Sequence, residues 1–329
     1  MRFNAACLKT GIFEDAVLHD TVICSQGSVW RHSMKGFIYT LGFFDGVHRG
    51  HQMLLQAAVR IASENGALPG AVTFTIHPDT LIYGDPPGMI NTYADRERLL
   101  TRFGAEKILS LPFDSRMRET DWKSFLDELR QNYDAAGFVC GDDFRFGRSG
   151  AGNSSCLRSY CLERGLPCSV VPEQTVDGIR VSSTFIRGLL EQGSMEQAAE
   201  FLGHAHEFSG TVEHGQQLGS RLGFPTANIA YPKELAVLRF GVYACIAEAD
   251  GKRCPAVTNV GVRPTVGGSE VRTESWLLDY SGDLYGKELR LEFYQFLRPE
   301  IRFESLNDLR AEVLRNADQT RQLMRLYMK

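Results

Sequence analysis

The chain has 329 residues, of which 43% are hydrophobic and 23% charged, and its formal net charge is −4. That length supports two ordinary domains, and the mildly acidic balance excludes an extended nucleic-acid surface. No apolar run reaches the ~18 residues that would suggest a membrane span, and the first residues lack the apolar core of a signal peptide. Eight cysteines are scattered singly with no Cys-x-x-Cys pair, the closest cluster being Cys156, Cys161 and Cys168. They read as reduced thiols of a cytoplasmic protein rather than as a zinc site.

In residues 1–36, Val17 to Cys24 reads as a strand and His32 to Gly36 as a loop, and no recognisable chemistry is carried there. Phe37 to Leu41 is an apolar, β-rich run, which Gly42 and Gly46 break into a turn. The stretch after His51 has the one-sided apolar spacing of a helix. The order is strand, glycine-rich loop, helix, with His48 in the loop and His51 at or near the helix start. A helix N-terminus offers free N–H groups and partial positive charge to phosphate, and two imidazoles add donors. The spacing resembles the HxGH signature of the nucleotidyltransferase α/β phosphodiesterase superfamily, in which the pair binds ATP phosphates. The bland alternative is two histidines on a surface loop.

Gly70 to Asp79 reads as a second strand with a proline stop, and His77 and Pro78 at its end are a site position or simply a turn. A helix over Tyr93 to Phe103, a strand over Ile108 to Leu111 and a helix over Asp121 to Tyr133 follow. This alternation predicts a parallel sheet with right-handed crossovers. Gly137 to Asn153 runs from a strand into glycines, with Phe144 and Phe146 alternating with charges. It reads either as an aromatic wall for a planar ligand or as a turn with core phenylalanines. Val170 and Val171 lead to Val181-Ser-Ser-Thr-Phe-Ile-Arg187, where Ser183 caps a helix or, with Arg187, forms a second anion site. A capping box over Ser194 and Gln197 opens a short helix that Gly203 ends.

Together these stretches (GxFDGxHxGH, the strand running to His77-Pro78, GDDFxFG and SSTxIR) resemble the N-terminal module of bacterial bifunctional riboflavin kinase/FMN adenylyltransferases, the FAD synthetases. The resemblance implies a Rossmann-like α/β nucleotidyltransferase domain over 1–203, including linker helices from 183, that adenylylates FMN with MgATP. It places Gly42, Phe43, Asp45, Gly46, His48, His51, Ser183, Thr184 and Arg187 at ATP. It places His77, Pro78, Asp143, Phe144 and Phe146 at the flavin. His48, His51 and Arg187 would be catalytic.

From Glu207 the texture changes to short strands with glycine turns, which predicts a small antiparallel barrel. In Gly210 to Asn228 the glycines allow backbone to approach phosphate, and Thr226 and Asn228 offer hard neutral oxygens suited to Mg²⁺. Glu274 is a carboxylate on an apolar strand, a general base or a residue facing water. With Thr258 to Thr265 and Leu297 to Phe303 in order, the second half resembles the riboflavin kinase domain, a six-stranded barrel with terminal helices, here over 204–329. The resemblance implies Gly215, Gly219, Arg221, Gly223, Pro225, Thr226 and Asn228 at ATP, the last two also at the metal, and Glu274 and Arg298 at riboflavin. Glu274 would be the base. No GxxxxGK[ST] stretch is present, so this is no P-loop kinase.

Five positions depart from the family pattern. Phe43 stands for a usual Asn, Ile76 for a Pro and Trp276 for a His, and Leu218 and Ser220 fall where arginines are common. The expectation is nevertheless both activities, riboflavin to FMN to FAD with ATP, in a monomer or weak homo-oligomer with small-molecule partners only. The alternatives are one working module, or a flavin-binding regulator, against which the retained proton acceptor argues.

Overall fold

The structure is a computed structural model and describes residues 36–77, 84, 87–215, 219, 222–265 and 268–328. The strand expected at Val17 to Cys24, and Pro78, Leu218, Ser220 and Arg221, lie outside the described residues.

The first half alternates strand and helix in the order β1 (Phe37–Leu41), α1 (Arg49–Asn65), β2 (Leu68–Phe74), α2 (Tyr93–Arg102), β3 (Lys107–Leu111), α3 (Ser115–Glu119), α4 (Trp122–Asn132), β4 (Ala135–Gly141), α5 (Ser154–Arg164) and β5 (Cys168–Val171). All pairings are parallel, in the order β3-β2-β1-β4-β5. Strand order reverses between β1 and β4, and open sheets of this kind bind ligands at such a reversal, beyond the carboxyl strand ends. Alternation along β1 divides the core. Ile38 packs with Leu54, Leu55 and Leu99 under α1 and α2, whereas Tyr39 and Leu41 pack with Phe125, Leu126 and Leu157 under α4 and α5. Helix starts are set by local side chains: Thr92 accepts from the Asp95 N–H, Asp121 from Lys123 and Ser124, and Asn153 from Cys156.

A hairpin of β6 (Thr175–Val176) and β7 (Ile179–Arg180) then leads to α6 (Ser183–Gln192) and α7 (Met195–Leu202). Two sequence expectations are corrected here. Ser182, not Ser183, caps α6, accepting from the Phe185 N–H, so Ser183 is free to donate to the Asp45 carbonyl at 2.9 Å. Ser194 makes no side-chain cap bond, so the capping box does not form; its backbone (φ −80°, ψ 62°) departs from the extended conformation usual at an N-cap.

The second half is β8 (His206–Glu213), β9 (Ala227–Ala230), β10 (Gly241–Ala249), β11 (Lys252–Thr265), β12 (Gly268–Leu277), β13 (Glu288–Arg298) and α8 (Leu306–Met324). The six strands close as an antiparallel barrel in the order β10-β11-β12-β9-β8-β13. Closure removes exposed edges and lets inward side chains such as Phe208, Cys245 and Phe293 fill the interior. Helix α8 covers the outside, setting Ala317 against Val242, Val257 and Leu278, and Met324 against Ala244 and Ile246.

The halves are joined by packing and by polar bonds. Leu189, Leu190, Met195, Phe201 and Leu202 of α6 and α7 belong to the same apolar cluster as the barrel interior. Arg98 on α2 reaches Asp95 at 2.6 Å and the buried Glu207 of β8 at 2.9 Å, and Asp95 also accepts from the Ser209 hydroxyl at 2.9 Å. Met89 exchanges backbone bonds with the barrel segment at Glu234 and Ala236, at 2.7 and 2.8 Å.

Candidate active sites

A cavity of about 450 Å³ opens at the carboxyl ends of β1, β4 and β5, where the strand order reverses. Gly42, Phe43 and Asp45 leave β1 into it, Asp142 to Phe144 leave β4, and Ser183, Thr184 and Arg187 enter from the start of α6. The loop after β1 is strained. Phe44 takes φ 62° and Val47 φ 39°, a region non-glycine residues avoid. The buried Phe44 ring anchors that turn, meeting His51 edge-on with centroids 5.1 Å apart.

His48 caps α1. Its Nδ1 accepts the His51 N–H at 3.4 Å, so the proton of the neutral ring sits on Nε2. The two imidazoles stack with centroids 3.6 Å apart and planes 12° from parallel. Burial pushes His48 down to about 4, and burial, with the neighbouring His48 and Arg96, holds His51 well below its usual range. At neutral pH both are neutral donors set at a helix N-terminus. Asp45, 4% exposed, accepts the Ile90 N–H at 2.8 Å and stands 3.6 Å from the Arg187 Nε. Burial raises the Asp45 carboxyl, and Arg187 and Arg96 oppose that rise. Arg187, held beside Asp45, lines the same cavity as the two histidines.

Two expected ligand contacts face elsewhere. Gly46, with φ +80°, packs against Ile90 and Leu202, where an added Cβ would come within 2.9 Å of the Ile90 side chain. Phe146 is 7% exposed in the core beside Trp122 and Phe125 and backs Phe144, stacked at 5.6 Å. Only Phe144 of that pair lines the cavity, because the Phe146↔Gly152 bridge turns the second ring inward. Phe43, at the departure from the family pattern, lines the cavity with Arg96 over its ring at 4.3 Å and His77 against its edge at 4.6 Å.

Sequence reasoning missed Arg96 and Arg180. Arg96 is 1% exposed and donates to the carbonyls of Phe43 at 3.1 Å and Phe74 at 2.7 Å, joining the ends of β1 and β2. A helical arginine ordinarily reads as solvated, so no local signal announced it. Arg180 lies on the cavity lip, paired with Asp143 and, at 2.8 Å, with Glu173. Its place three residues before Ser183 was the only hint.

A second cavity, about 300 Å³, lies against the barrel and is roofed by α8. Gly219, Thr226, Glu274, Trp276 and Arg298 line it from the barrel side, and Phe303, Leu309, Val313 and Asn316 from the roof. Glu274 is exposed, in register with Asn259 on β11 and Asn228 on β9. The glycines permit close approach: a Cβ on Gly215 would sit 2.4 Å from the Asn228 amide, and one on Gly219 2.5 Å from the Phe224 carbonyl. Gly223, at φ +90°, and Pro225 lie in the segment that leads from Gly219 into β9. Asn228 donates to the Thr226 carbonyl at 3.4 Å, which turns its Oδ1 the other way. Arg298 lines the cavity, but its Nε is bonded to Asn316 at 3.0 Å and paired with Glu312 at 3.3 Å, tying β13 to α8.

The buried histidines also set a pH dependence of folding. Burial pushes His206 down to about 3 and His48 to about 4, from 6.5 when exposed. Below pH 6.5 the unfolded chain binds protons that the folded chain refuses. The stability from these rings is therefore full above pH 6.5 and is lost progressively as pH falls from 6.5 to the folded values. Unfolding free energies from urea titration are expected to be lower at pH 5 than at pH 7.5, by on the order of 2 kcal/mol per ring; equal values would contradict the burial.

A nucleotide-type loop on a parallel sheet, joined to a closed barrel with a carboxylate-bearing cavity, defines a two-module transferase of phosphorus-containing groups. The FAD synthetase family model matches residues 31–185, and the riboflavin kinase family model matches residues 202–324. The chain is 33% identical over 285 residues to the bifunctional riboflavin kinase/FMN adenylyltransferase of Escherichia coli K12, covering 86% of this chain and 91% of that one. It is 35% identical over 290 residues to the protein of that name from Pseudomonas fluorescens, covering 88% and 92%. A crystal structure described as a macrolide-efflux protein from Streptococcus pneumoniae superposes with TM-score 0.79 at 27% identity, covering 88% of this chain and 95% of that one. No helix among the described residues is long and apolar enough to cross a membrane. The chain belongs to the bifunctional riboflavin kinase/FMN adenylyltransferase family.

Proposed function

We propose that the chain makes FAD in two steps, riboflavin phosphorylation in the barrel cavity and FMN adenylylation in the cavity of the parallel sheet, with the modules meeting near residue 203. The observation that carries the reading is the stacked His48–His51 pair at the start of α1, which lines with Arg187 one cavity of about 450 Å³.

In the barrel, Glu274 accepts the proton of the riboflavin 5′-hydroxyl as that oxygen bonds to the γ-phosphorus of ATP and the bond to the ADP oxygen breaks. The backbone around Gly215 and Gly219 approaches the phosphates. Mg²⁺ fits the donor set: the Thr226 hydroxyl and Asn228 Oδ1 are hard, neutral oxygens, leaving positions for phosphate oxygens and water. Bound there, it would neutralise phosphate charge.

In the sheet cavity, an oxygen of the FMN phosphate bonds to the α-phosphorus of ATP while the bond to pyrophosphate breaks. No side chain needs to become covalently attached, and catalysis is alignment and charge stabilisation. His48 Nε2–H and His51 donate to the triphosphate from one side, and Thr184, Arg187 and the backbone N–H of Ser183 at the start of α6 from the other. Phe144, with Asp143 and His77, forms the flavin wall.

Purified protein incubated with riboflavin, ATP and Mg²⁺ is expected to yield FAD, separated from FMN and riboflavin by chromatography. FMN alone would remove the second step. Unchanged riboflavin, with FAD absent also from supplied FMN, would overturn the reading.

A further inference from the structure

The loop that carries His48 and His51 does not stand on its own module alone. Where α7 hands over to the barrel, the side chains of Arg49, Gln52 and His204 fasten it. Arg49 Nε donates to the Glu200 carbonyl at 2.6 Å. The Gln52 amide donates to Val47 O at 2.9 Å and to Leu202 O at 2.7 Å. His204, the second residue after α7, sets its Nε2 3.0 Å from the Gly46 carbonyl. Gly46 itself lies against Leu202, where an added Cβ would come within 3.2 Å of that side chain.

His204 is 6% exposed and has no direct place in the cavity. Its other nitrogen, Nδ1, faces the Ala205 carbonyl at 2.8 Å. Burial lowers the His204 pKa, and a neutral imidazole carries a single N–H, so one of these two carbonyls accepts it; with the proton on Nε2 the ring donates to Gly46 and acts as a spacer. Its carbonyl partner is two residues before His48, within a turn already strained at Phe44 and Val47. A strained turn persists only where its surroundings over-determine it, and a buried donor on the Gly46 carbonyl is one such determinant.

We propose that His204 is a positioning residue for adenylyl transfer: from the first residues of the barrel module it holds the Gly46 carbonyl and so aims the His48–His51 pair at the triphosphate. The inference rests on the adenylyltransferase reading of that cavity and extends it, because a group outside the nucleotidyltransferase fold then sets that fold's catalytic geometry. A misplacement of about 1 Å at reacting groups costs as much as 10²-fold in rate.

The test uses the full chain carrying His204→Ala, His204→Gln or no change, assayed separately for FMN formation from riboflavin and for FAD formation from FMN. The glutamine amide nitrogen lies near the position of the histidine Nε2 and can donate to Gly46. His204→Ala is expected to lower kcat for FAD formation about tenfold or more with the KM for FMN changed less than threefold. FMN formation should stay within twofold, and His204→Gln should recover most of the lost kcat. Equal loss of both activities in His204→Ala, or no loss of FAD formation, would overturn the proposal, as would a glutamine variant no better than alanine. Should the unchanged protein itself make no FAD from FMN, the reading of the cavity fails instead, and the two failures are distinct.

Discussion

Replacing Glu274 by Gln is expected to stop riboflavin phosphorylation while FMN adenylylation continues. The substitution keeps the volume of the side chain and removes its ability to accept a proton. Glu274 lies on β12 with Asn259 and Asn228 in register on either side, so the row across the three strands is Asn–Glu–Asn and its carboxylate has neutral neighbours there. It lines the cavity under α8 with Thr226 and Trp276. Because the side chain is exposed, the fold does not depend on its charge, and the change should be nearly silent in stability. Removing a positioned general base costs roughly 10²- to 10⁴-fold in rate. Separate assays of the two steps check this; a joint fall of both, in a protein with an unchanged melting temperature, would show that the steps do not occupy separate cavities.

Replacing His51 by Ala is expected to damage the other step alone. Its ring is sandwiched between His48, stacked at 3.6 Å, and the edge of Phe44 at 5.1 Å. Its Nδ1 is buried without a hydrogen-bond partner among the described residues. Loss of one preorganised donor to developing charge costs about 10²- to 10³-fold in rate. FAD formation from FMN should fall by that order while FMN formation from riboflavin holds. His51 is a cleaner probe than His48, whose ring also caps α1, so that its removal would mix a stability loss of about 1 kcal/mol with the catalytic one. Unchanged FAD output from the His51 variant would remove the reason for placing ATP at that helix start.

What the sequence made legible was local. The alternation of Phe37–Leu41 with a one-sided helix, the glycines at 42 and 46 and the spacing of His48 and His51 are short-range features, and each lies where its neighbours in the chain place it. The barrel was legible from short strands and glycine turns, and its six-stranded closure from the family resemblance. Choices between adjacent residues were not. Ser182 and Ser183 carry the same hydroxyl, and only the tertiary position of the Asp45 carbonyl decides which one caps. Phe144 and Phe146 alternate identically in sequence, and the Gly152 bridge decides which ring is buried. Arg96 shows the limit most plainly: its partners, the carbonyls of Phe43 and Phe74, are distant in the chain, and no periodicity predicts a guanidinium buried between two strand ends. The roof of the barrel cavity was hidden likewise, because α8 reads as a terminal helix until Leu309 and Val313 are found lining one cavity with Trp276.

The apolar cluster that runs from α6 and α7 into the barrel has a consequence for how the molecule comes apart. Phe201, Leu202, Phe208 and Phe293 belong to one oily interior rather than to two, so melting either half would wet the other's hydrocarbon. Heat should therefore dismantle both catalysts in a single cooperative event, and a cell that loses one to misfolding loses the pair.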